Sequence, residues 1–175
     1  MEKCLNEDFN KWKEYILNYK LPRWDDLPDI GYYMDQVIEF TEKHLSNFST
    51  GESGKLITPS IINNYVKHKI IPAPVKKRYF KEQIALLIIV CILKPVIPIS
   101  SIQNIINSEL ETKSLENLYN SFCSQQEKAY IDAFNDSCFS NETTDTKGKM
   151  CSIPLKMSIL SSSYKVLAHK TSHTN

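Results

Sequence analysis

The chain is poor in glycine, with four glycines among 175 residues. Glycine supplies the positive φ angles that tight β-hairpins need, so this sequence has little material for such hairpins. With 42% hydrophobic and 23% charged residues, its composition is that of an ordered globular protein. We therefore expect a mainly α fold built around one core of ordinary size.

Long apolar segments and export signals are also lacking. The longest apolar run, residues 84 to 93, has ten residues, about half of the roughly 20 that a helix needs to cross a bilayer. The segment MEKCLNEDFNKWKEY has neither an apolar core of signal-peptide length nor a small-residue cleavage site. The sequence therefore predicts a cytoplasmic protein without a membrane span.

Motifs for metal binding, redox chemistry and catalysis are lacking as well. The five cysteines form no CxxC pair, and no His stands at ligand spacing, so neither zinc nor a thioredoxin-like site is indicated. A phosphate-binding glycine loop, an HExxH helix and a nucleophile elbow are all missing. Asp25, Asp26 and Asp29 are clustered, but beside two prolines and a helix start they are typical capping residues. We expect no enzyme activity, no metal and no cofactor.

Acidic residues are absent from one long segment, residues 53 to 81. Its seven basic residues are Lys55, Lys67, Lys69, Lys76, Lys77, Arg78 and Lys81. The formal net charge of the whole chain is only +1, so the remainder, with 14 basic and 20 acidic residues, carries a balance of −6. This asymmetry concentrates positive potential in one region and predicts an anionic partner there.

Hydrophobic spacing and capping residues predict a series of helices. Asp29 is expected to cap the second helix and Ser100 or Ser101 the fifth, while Thr58 and Pro59 suit the N-cap and first position of the third. The fourth is apolar on all sides, which indicates the centre of the domain. The predicted helices span residues 7–19, 30–45, 58–69, 81–94, 100–110, 114–134 and 154–170.

Composition divides the chain into three parts. Residues 1–29 form an N-terminal helix and linker, 30–110 the core, and 111–175 the C-terminal helices. Within the last part, residues 137–152 are polar and predict a linker. The two C-terminal helices either form a homodimer interface or close the core of the monomer, and their sequence favours neither. Trp12 and Trp24 are expected to be core aromatic residues.

The third predicted helix has a mixed surface that suits a contact with DNA. Its inner face carries Ile62 and Tyr65, while its polar residues point elsewhere. An asparagine can pair with adenine in the major groove, and a serine with either base type. The polar residues are Ser60, Asn63, Asn64, Lys67 and His68.

The loop that follows this helix is basic and cannot be helical. Pro72 and Pro74 end the helix and require a turn or a short extended ribbon. Residues 72–80 are therefore interpreted as a basic wing, whose Lys76, Lys77 and Arg78 would hold phosphates. A solvated helix face beside an ordinary charged loop explains the same residues about as well.

Residues 55–107 resemble the winged-helix head of the MerR-type regulators. The matching positions include Ile62, Tyr65, the proline bend from Pro72 to Pro74, and the pair Arg78 and Tyr79. The resemblance implies a winged helix-turn-helix, a DNA-binding transcriptional regulator with helix 58–69 in the major groove of double-stranded DNA, and dimerisation through later helices. The implied contact residues are Ser60, Asn63, Asn64, Tyr65, Lys67, His68, Lys76, Lys77, Arg78 and Tyr79.

Three departures from that pattern favour an alternative. Asn63 stands where the family has an arginine, and Lys69 stands where a glycine closes the helix, so another way of ending the helix is expected. The acidic helix 30–45 precedes helix 58–69 and is separated from it by a loop where the family has a tight turn, and we expect this acidic helix to pack away from DNA. The alternative is a protein-interaction module with a winged-helix fold that does not bind DNA.

A second resemblance covers more of the chain. The segments WDDLPD and YYMDQV, together with residues 58–105, resemble a bacterial family known only as a domain of unknown function. That resemblance implies no activity.

Overall fold

The computed structural model describes residues 2–46, 56–135 and 146–172. Within these ranges the chain is mainly α-helical, as predicted, and extended pairing is limited to two isolated β-bridges. A short 3₁₀ turn spans Trp24–Asp26. The α-helices are α1 (Glu2–Asn18), α2 (Met34–Leu45), α3 (Pro59–Lys67), α4 (Lys81–Leu93), α5 (Ile99–Leu110), α6 (Leu115–Asn135) and α7 (Thr146–Thr171).

Helix α4 is the centre of the fold. Every residue from Gln83 to Cys91 is buried, and α2, α5 and α6 pack against this helix. Val37 and Leu45 of α2 and Tyr119 and Cys123 of α6 belong to the same hydrophobic core. A helix that is apolar on all sides is stable in water only when other elements cover it. The predicted central helix is thus confirmed.

The predicted cap of α2 is wrong. The N-cap is Tyr33, whose backbone N–H donates to Oε1 of Gln36 at 3.0 Å. Asp29 instead forms an ion pair with Lys81, 2.6 Å from its Nζ. The glutamine three residues into the helix satisfies the donor locally, so the carboxylate of Asp29 is available to a more distant cation.

The start of α5 also differs from the prediction. Pro98 is the N-cap, and Ser101 lies inside the helix, fully buried. The Oγ of Ser101 is 3.1 Å from Nδ1 of His169, so the serine joins α5 to α7 instead of capping α5. Proline is a favourable residue at a helix start because its missing N–H has no helical partner there.

The C-terminal helix is longer than predicted. Residues 146–152, which composition assigns to a linker, form the first turns of α7, and the helix continues through Pro154. The rest of the predicted linker, up to residue 145, lies outside the described residues. In the described ranges, none of the helices has the length and hydropathy that a membrane span requires.

The two tryptophans differ from each other. Trp24 packs against the core, with its ring 6.3 Å from that of Tyr119. Trp12 is 41% exposed and contacts Phe9 and Phe134 at one end of the α1–α6 pair. The core assignment is therefore right for Trp24 and wrong for Trp12. Helical spacing puts Trp12 on one face of α1 together with Ile16, but of these two residues Ile16 is the buried one.

A polar latch joins the segment after α1 to α6. The Glu127 carboxylate accepts hydrogen bonds from the backbone N–H of Leu21 at 3.0 Å, from Arg23 Nη2 at 2.8 Å and from Lys20 Nζ at 3.2 Å. The buried hydroxyl of Tyr119 donates to the carbonyl of Pro22 at 2.8 Å. These bonds hold the irregular segment that leads into α2.

Candidate functional site

Helix α3 presents its polar face to solvent, as the spacing predicts. Thr58 caps the helix, its Oγ1 accepting from the N–H of Ile61 at 3.3 Å, and Pro59 is the first helical residue. Ile62 is buried below this cap. The exposed residues are Ser60, Asn63, Asn64, Lys67 and His68.

Helix α3 ends with a lysine in the left-handed conformation. Lys69 has φ 57°, its N–H donates to the carbonyl of Val66 at 3.0 Å, and the N–H of Ile70 donates to the carbonyl of Tyr65 at 3.0 Å. This pair of bonds is the Schellman motif, which usually uses glycine at this position. The expectation of another ending is therefore wrong: Lys69 adopts the backbone that a glycine would, with its side chain exposed.

The predicted wing contains a two-residue turn. Val75 and Arg78 exchange two backbone hydrogen bonds of 2.9 Å each. Between them, Lys76 has φ 49° and Lys77 has φ 65°. Positive φ at both central residues is typical of a type I′ turn, for which Asn-Gly is the preferred sequence. The expectation of a turn at this place is confirmed.

The turn is attached to the segment that precedes α2. Tyr32 and Tyr79 exchange two backbone hydrogen bonds of 2.8 Å each. Next to this bridge, a Cβ on Gly31 would lie 2.8 Å from the Cβ of Arg78 and 2.9 Å from Cζ of Phe80. Because Gly31 has no side chain, the two segments can approach closely. The bridge between Tyr32 and Tyr79 then fixes the turn relative to α2.

Arg78 is held by neutral groups. Its guanidinium lies over the Tyr33 ring, 4.7 Å from the ring centroid, and donates to the Tyr33 hydroxyl at 3.1 Å and to the Gly31 carbonyl at 3.3 Å. Because no carboxylate is among these partners, the positive charge is not compensated by them. A guanidinium has five N–H donors, so donors remain for an external anion.

Two predicted contact residues belong to the core instead. Tyr65 is 5% exposed and Tyr79 is 3% exposed. Burial, with a smaller effect from Cys91, raises the pKa of Tyr65 to about 12, and burial also raises the pKa of Tyr79. We therefore correct the predicted set by removing both tyrosines, whose side chains pack inward and anchor α3 and the turn.

Lys94 is a cation of the site that was not predicted, and it lies across a groove from Lys67. The groove, of about 660 Å³, runs between α3 and the turn after α4, and Asn63 and Asn64 also line it. Its apolar lining is formed by Leu56, Ile61, Tyr65, Cys91, Pro95 and Ile99. No local pattern indicates Lys94, because it lies outside the acid-free segment and only the tertiary structure brings it near α3.

Not every basic residue of the segment is available. Lys81 pairs with Asp29, and the hydrogen bond that its ammonium donates to the Asp29 carboxylate is the main cause of the raised pKa of Lys81. In the part of the chain that the structure describes, no ion pair involves the other lysines of this segment or Lys94. These residues are Lys67, Lys69, Lys76, Lys77 and Lys94.

An acidic surface borders the first turn of α3. Asp35, Glu39 and Glu42 of α2 line a shallow depression together with Pro59, and Lys43 is the cation beside these three carboxylates. The charge is thus divided along α3, with carboxylates beside its start and lysines at its end and beyond. Helix α2 packs against α3, so its carboxylates lie beside the start of the polar surface of α3.

The described part of the chain was found to hold no cluster of side chains suited to a metal ion. Over the ranges 2–46, 56–135 and 146–172, no group of three or more His, Cys, Asp or Glu side chains could hold an ion. Cys91 and Cys123 are buried free thiols in the core. The site is therefore a surface of exposed amides and cations.

Comparison with known proteins gives one match. A family model described as Domain of unknown function (DUF1836) matches residues 22–122, more than half of the chain. The matched part begins at Pro22 in the latch, includes α2 to α5 and ends in α6, so α1 and α7 lie outside it. No curated protein and no solved structure matches the chain.

Proposed function

The chain belongs to the family described as Domain of unknown function (DUF1836), and we propose that it is a DNA-binding transcriptional regulator with a winged helix-turn-helix like that of MerR-type heads. Helix α3 enters the major groove of double-stranded DNA. The turn Val75–Arg78 is the wing and lies on the phosphate backbone. The contact residues are Ser60, Asn63, Asn64, Lys67, His68, Lys69, Lys76, Lys77, Arg78 and Lys94.

The strained lysines carry this proposal. Among the described residues, the non-glycine residues with positive φ are Lys69, Lys76 and Lys77. A left-handed backbone costs an ordinary residue about 1–2 kcal/mol, so the three together cost about 3–6 kcal/mol, a large share of the roughly 5–15 kcal/mol that stabilises a domain. Glycine or asparagine would relieve the strain at each position. Strain of this kind is typical of functional sites, and the property that these residues share is an exposed cation.

The distribution of charge suggests how DNA approaches. Carboxylates of α2 beside Pro59 repel phosphate, whereas Lys67 and Lys69 at the other end of α3 attract it. Lys76 follows Lys69 by seven residues, so their Cα atoms are at most about 25 Å apart. The duplex therefore contacts the wing and lies nearer to the C-terminal end of α3 than to its start, with Ser60 at the edge of the contact and α2 facing away.

Replacing Lys76, Lys77 and Arg78 together by alanine should weaken binding to every duplex alike. Each lost phosphate contact lowers the dependence of log K on log salt by about 0.9, so the slope should fall by up to about 2.7. The measurement is fluorescence anisotropy with several duplexes at several salt concentrations. The matched control replaces Lys11, Lys113 and Lys128, three exposed lysines on other surfaces, and so removes the same formal charge.

The comparison of the two triple variants decides the wing assignment. The control should keep the parent slope, because its lysines lie away from α3 and the turn. Equal slopes for the parent and for the variant lacking Lys76, Lys77 and Arg78 would contradict the assignment. If both triple variants lost the same affinity for DNA, the duplex would be attracted to the net charge of the protein and not to the wing.

Base recognition by α3 predicts a different response. Replacing Asn63 and Asn64 by alanine should change which sequences are bound, because a bidentate contact between an asparagine and adenine contributes about 1–3 kcal/mol of discrimination. The salt slope should stay the same, since neither residue carries charge. Selection of duplexes from a random pool, with the parent and the double variant in parallel, measures this preference. Identical selected sequences would exclude both asparagines from base recognition.

A protein-interaction module is the second candidate. The groove of about 660 Å³ beside α3 has an apolar lining, which duplex DNA does not need, and the acidic surface of α2 is adjacent to α3. A parent protein that binds no duplex at low salt would select this alternative. The groove would then be the surface to test with partner peptides.

A further inference from the structure

A tyrosine in the segment that leads into α2 is exposed beside the wing. The side chain of Tyr33, the N-cap of α2, is 50% exposed, and Arg78 of the turn is exposed as well. The bridge between Tyr32 and Tyr79 and the close approach at Gly31 bring these two side chains together. Tyr33 lies outside the acid-free segment, so the charge pattern of the sequence does not assign it to the binding surface.

The Tyr33 side chain holds the Arg78 guanidinium in two ways. The guanidinium carbon lies over the ring, 4.7 Å from its centroid, and Nη2 donates to the Tyr33 hydroxyl at 3.1 Å. On the other side of the guanidinium, Nη1 donates to the Gly31 carbonyl at 3.3 Å. An arginine loses much rotamer freedom when it binds an anion, so a guanidinium that is already fixed binds at a smaller entropic cost.

The Tyr33 hydroxyl also has a donor of its own. A phenolic hydroxyl carries one O–H donor besides its acceptor lone pairs. Because the oxygen accepts from Arg78, its proton points away from the guanidinium, and among the described residues no acceptor is bonded to it. The heavy atoms of the two donors are 3.1 Å apart. A phosphodiester has two nonbridging oxygens, so both groups can donate to one phosphate.

We propose that Tyr33 is a further DNA-contact residue, which binds the same backbone phosphate as Arg78 and positions the Arg78 guanidinium for it. This inference rests on the proposed function and extends the wing contact to the segment before α2. A carboxylate in the place of Tyr33 would also orient the arginine, but it would repel the phosphate. In the ranges that the structure describes, no ion pair involves Arg78, so its charge is directed to the anion.

Tyr33→Phe should lower the affinity for duplex DNA about 3- to 10-fold, as expected for the loss of one hydrogen bond at an exposed site. The dependence of log K on log salt should stay at the parent value because a phenol is uncharged, whereas Arg78→Ala should lower it by about 0.9. The substitution keeps the cap of α2, since the bond to Gln36 comes from the backbone N–H. Fluorescence anisotropy measures both quantities. Tyr164→Phe is the matched control: Tyr164 is 65% exposed on α7 and should be replaceable without loss of affinity.

A double-mutant cycle tests whether the two residues bind one phosphate. In the Arg78→Ala background, Tyr33→Phe should lower affinity less than about 2-fold, because a phosphate without the guanidinium is no longer held against the hydroxyl. A loss as large as that in the parent background would show that Tyr33 and Arg78 act separately, and would overturn the proposal. An equal loss in Tyr164→Phe would overturn it too.

The positioning of Arg78 can be measured without DNA. The face of an aromatic ring shields the nuclei above it, so the guanidinium protons of Arg78 should resonate upfield of those of a free arginine in the parent and in Tyr33→Phe. Tyr33→Leu should abolish this shift and lower affinity a further 2- to 5-fold or so, through loss of the cation–π contact. An Arg78 resonance that is the same in the parent and in Tyr33→Leu would overturn the positioning role.

Failure of this inference is distinguishable from failure of the proposed function. If the parent binds duplex DNA and Tyr33→Phe binds it as tightly, Tyr33 does not contact the phosphate, while the proposed function stands. If the parent binds no duplex at low salt, the proposed function is wrong and this inference is wrong with it.

Discussion

Replacing Lys76 by Asn and Lys77 by Gly should stabilise the protein and weaken its binding to DNA. Both residues have positive φ, and Asn-Gly is the preferred pair for the type I′ turn that they form. Relief of about 1–2 kcal/mol at each residue, less about 0.5–1 kcal/mol for the added freedom of glycine in the unfolded chain, leaves a gain of about 1–3 kcal/mol. For a protein of this size we expect Tm to rise by roughly 2–4 °C per kcal/mol.

The same substitution removes two cations from the wing. Each phosphate contact contributes a factor of about eight to affinity at 0.1 M salt relative to 1 M, so the loss of two lowers affinity roughly 60-fold. The salt slope should fall by about 1.8. Thermal unfolding and anisotropy titration on the same preparations measure the two effects together.

The control variant is Lys76→Ala with Lys77→Ala. It removes the same charge but keeps side chains with a Cβ at both positive φ angles, so it should lose affinity equally and gain no stability. If the Asn-Gly variant bound DNA as tightly as the parent, the lysines of the turn would have no role in binding. If its Tm failed to rise, the left-handed backbone would not be a source of strain.

Replacing Glu127 by Gln should destabilise the fold by about 1–3 kcal/mol at pH 7. The Glu127 side chain is 10% exposed and accepts from Arg23, Lys20 and the backbone of Leu21. Glutamine has the same shape but only one acceptor oxygen and no charge, so the guanidinium of Arg23 loses its ionic partner. The range is below that of a fully buried pair because Arg23 is about one-third exposed and Lys20 mostly exposed.

The effect of Glu127 should depend on pH. Burial raises the pKa of this carboxyl, but the hydrogen bonds from Arg23, Lys20 and Leu21 together outweigh burial, and the net pKa is lowered from 4.5. The Glu127 carboxyl therefore binds a proton less readily in the folded state than in the unfolded state. The stabilisation is complete above the unfolded pKa near 4.5 and is lost as the pH falls through the lower folded value.

Urea unfolding of the parent and Glu127→Gln between pH 7 and pH 3 measures this contribution. The difference in unfolding free energy should be largest near pH 7 and shrink toward pH 3. The control is Glu109→Gln, since Glu109 pairs with Lys113 in the turn after α5 but is 40% exposed, and it should change stability by less than about 0.5 kcal/mol. If Glu127→Gln were as stable as the parent at pH 7, the latch would not contribute to the stability of the fold.

Local patterns in the sequence were sufficient to predict that the helices exist and which side chains of α3 are exposed. Apolar spacing placed Ile62 inside and Asn63 and Asn64 outside, because a helix repeats every 3.6 residues whatever it packs against. Two prolines near Lys76 required a turn, because proline has no N–H and a restricted φ. These properties belong to a few neighbouring residues, so no knowledge of the tertiary fold was needed.

Local patterns failed where the answer depends on residues far apart in the chain. Tyr79 follows Arg78 in a basic loop and resembles a DNA contact, yet its bridge to Tyr32 turns its ring into the core. The sequence counts Lys81 among the available cations. In the fold, Lys81 forms an ion pair with Asp29, which compensates its charge. Lys94 has no basic neighbours, and the packing of α4 brings it to the groove beside α3.

The amino-acid sequence by itself determined that this protein is mainly helical, that α4 is central and that one segment is purely basic. Only the tertiary structure decided which cations are available and that Lys69, Lys76 and Lys77 have left-handed backbones. Helical periodicity and charge are set by neighbouring residues. Ion pairing, burial and the backbone angles of a turn depend on contacts that exist only after the chain has folded.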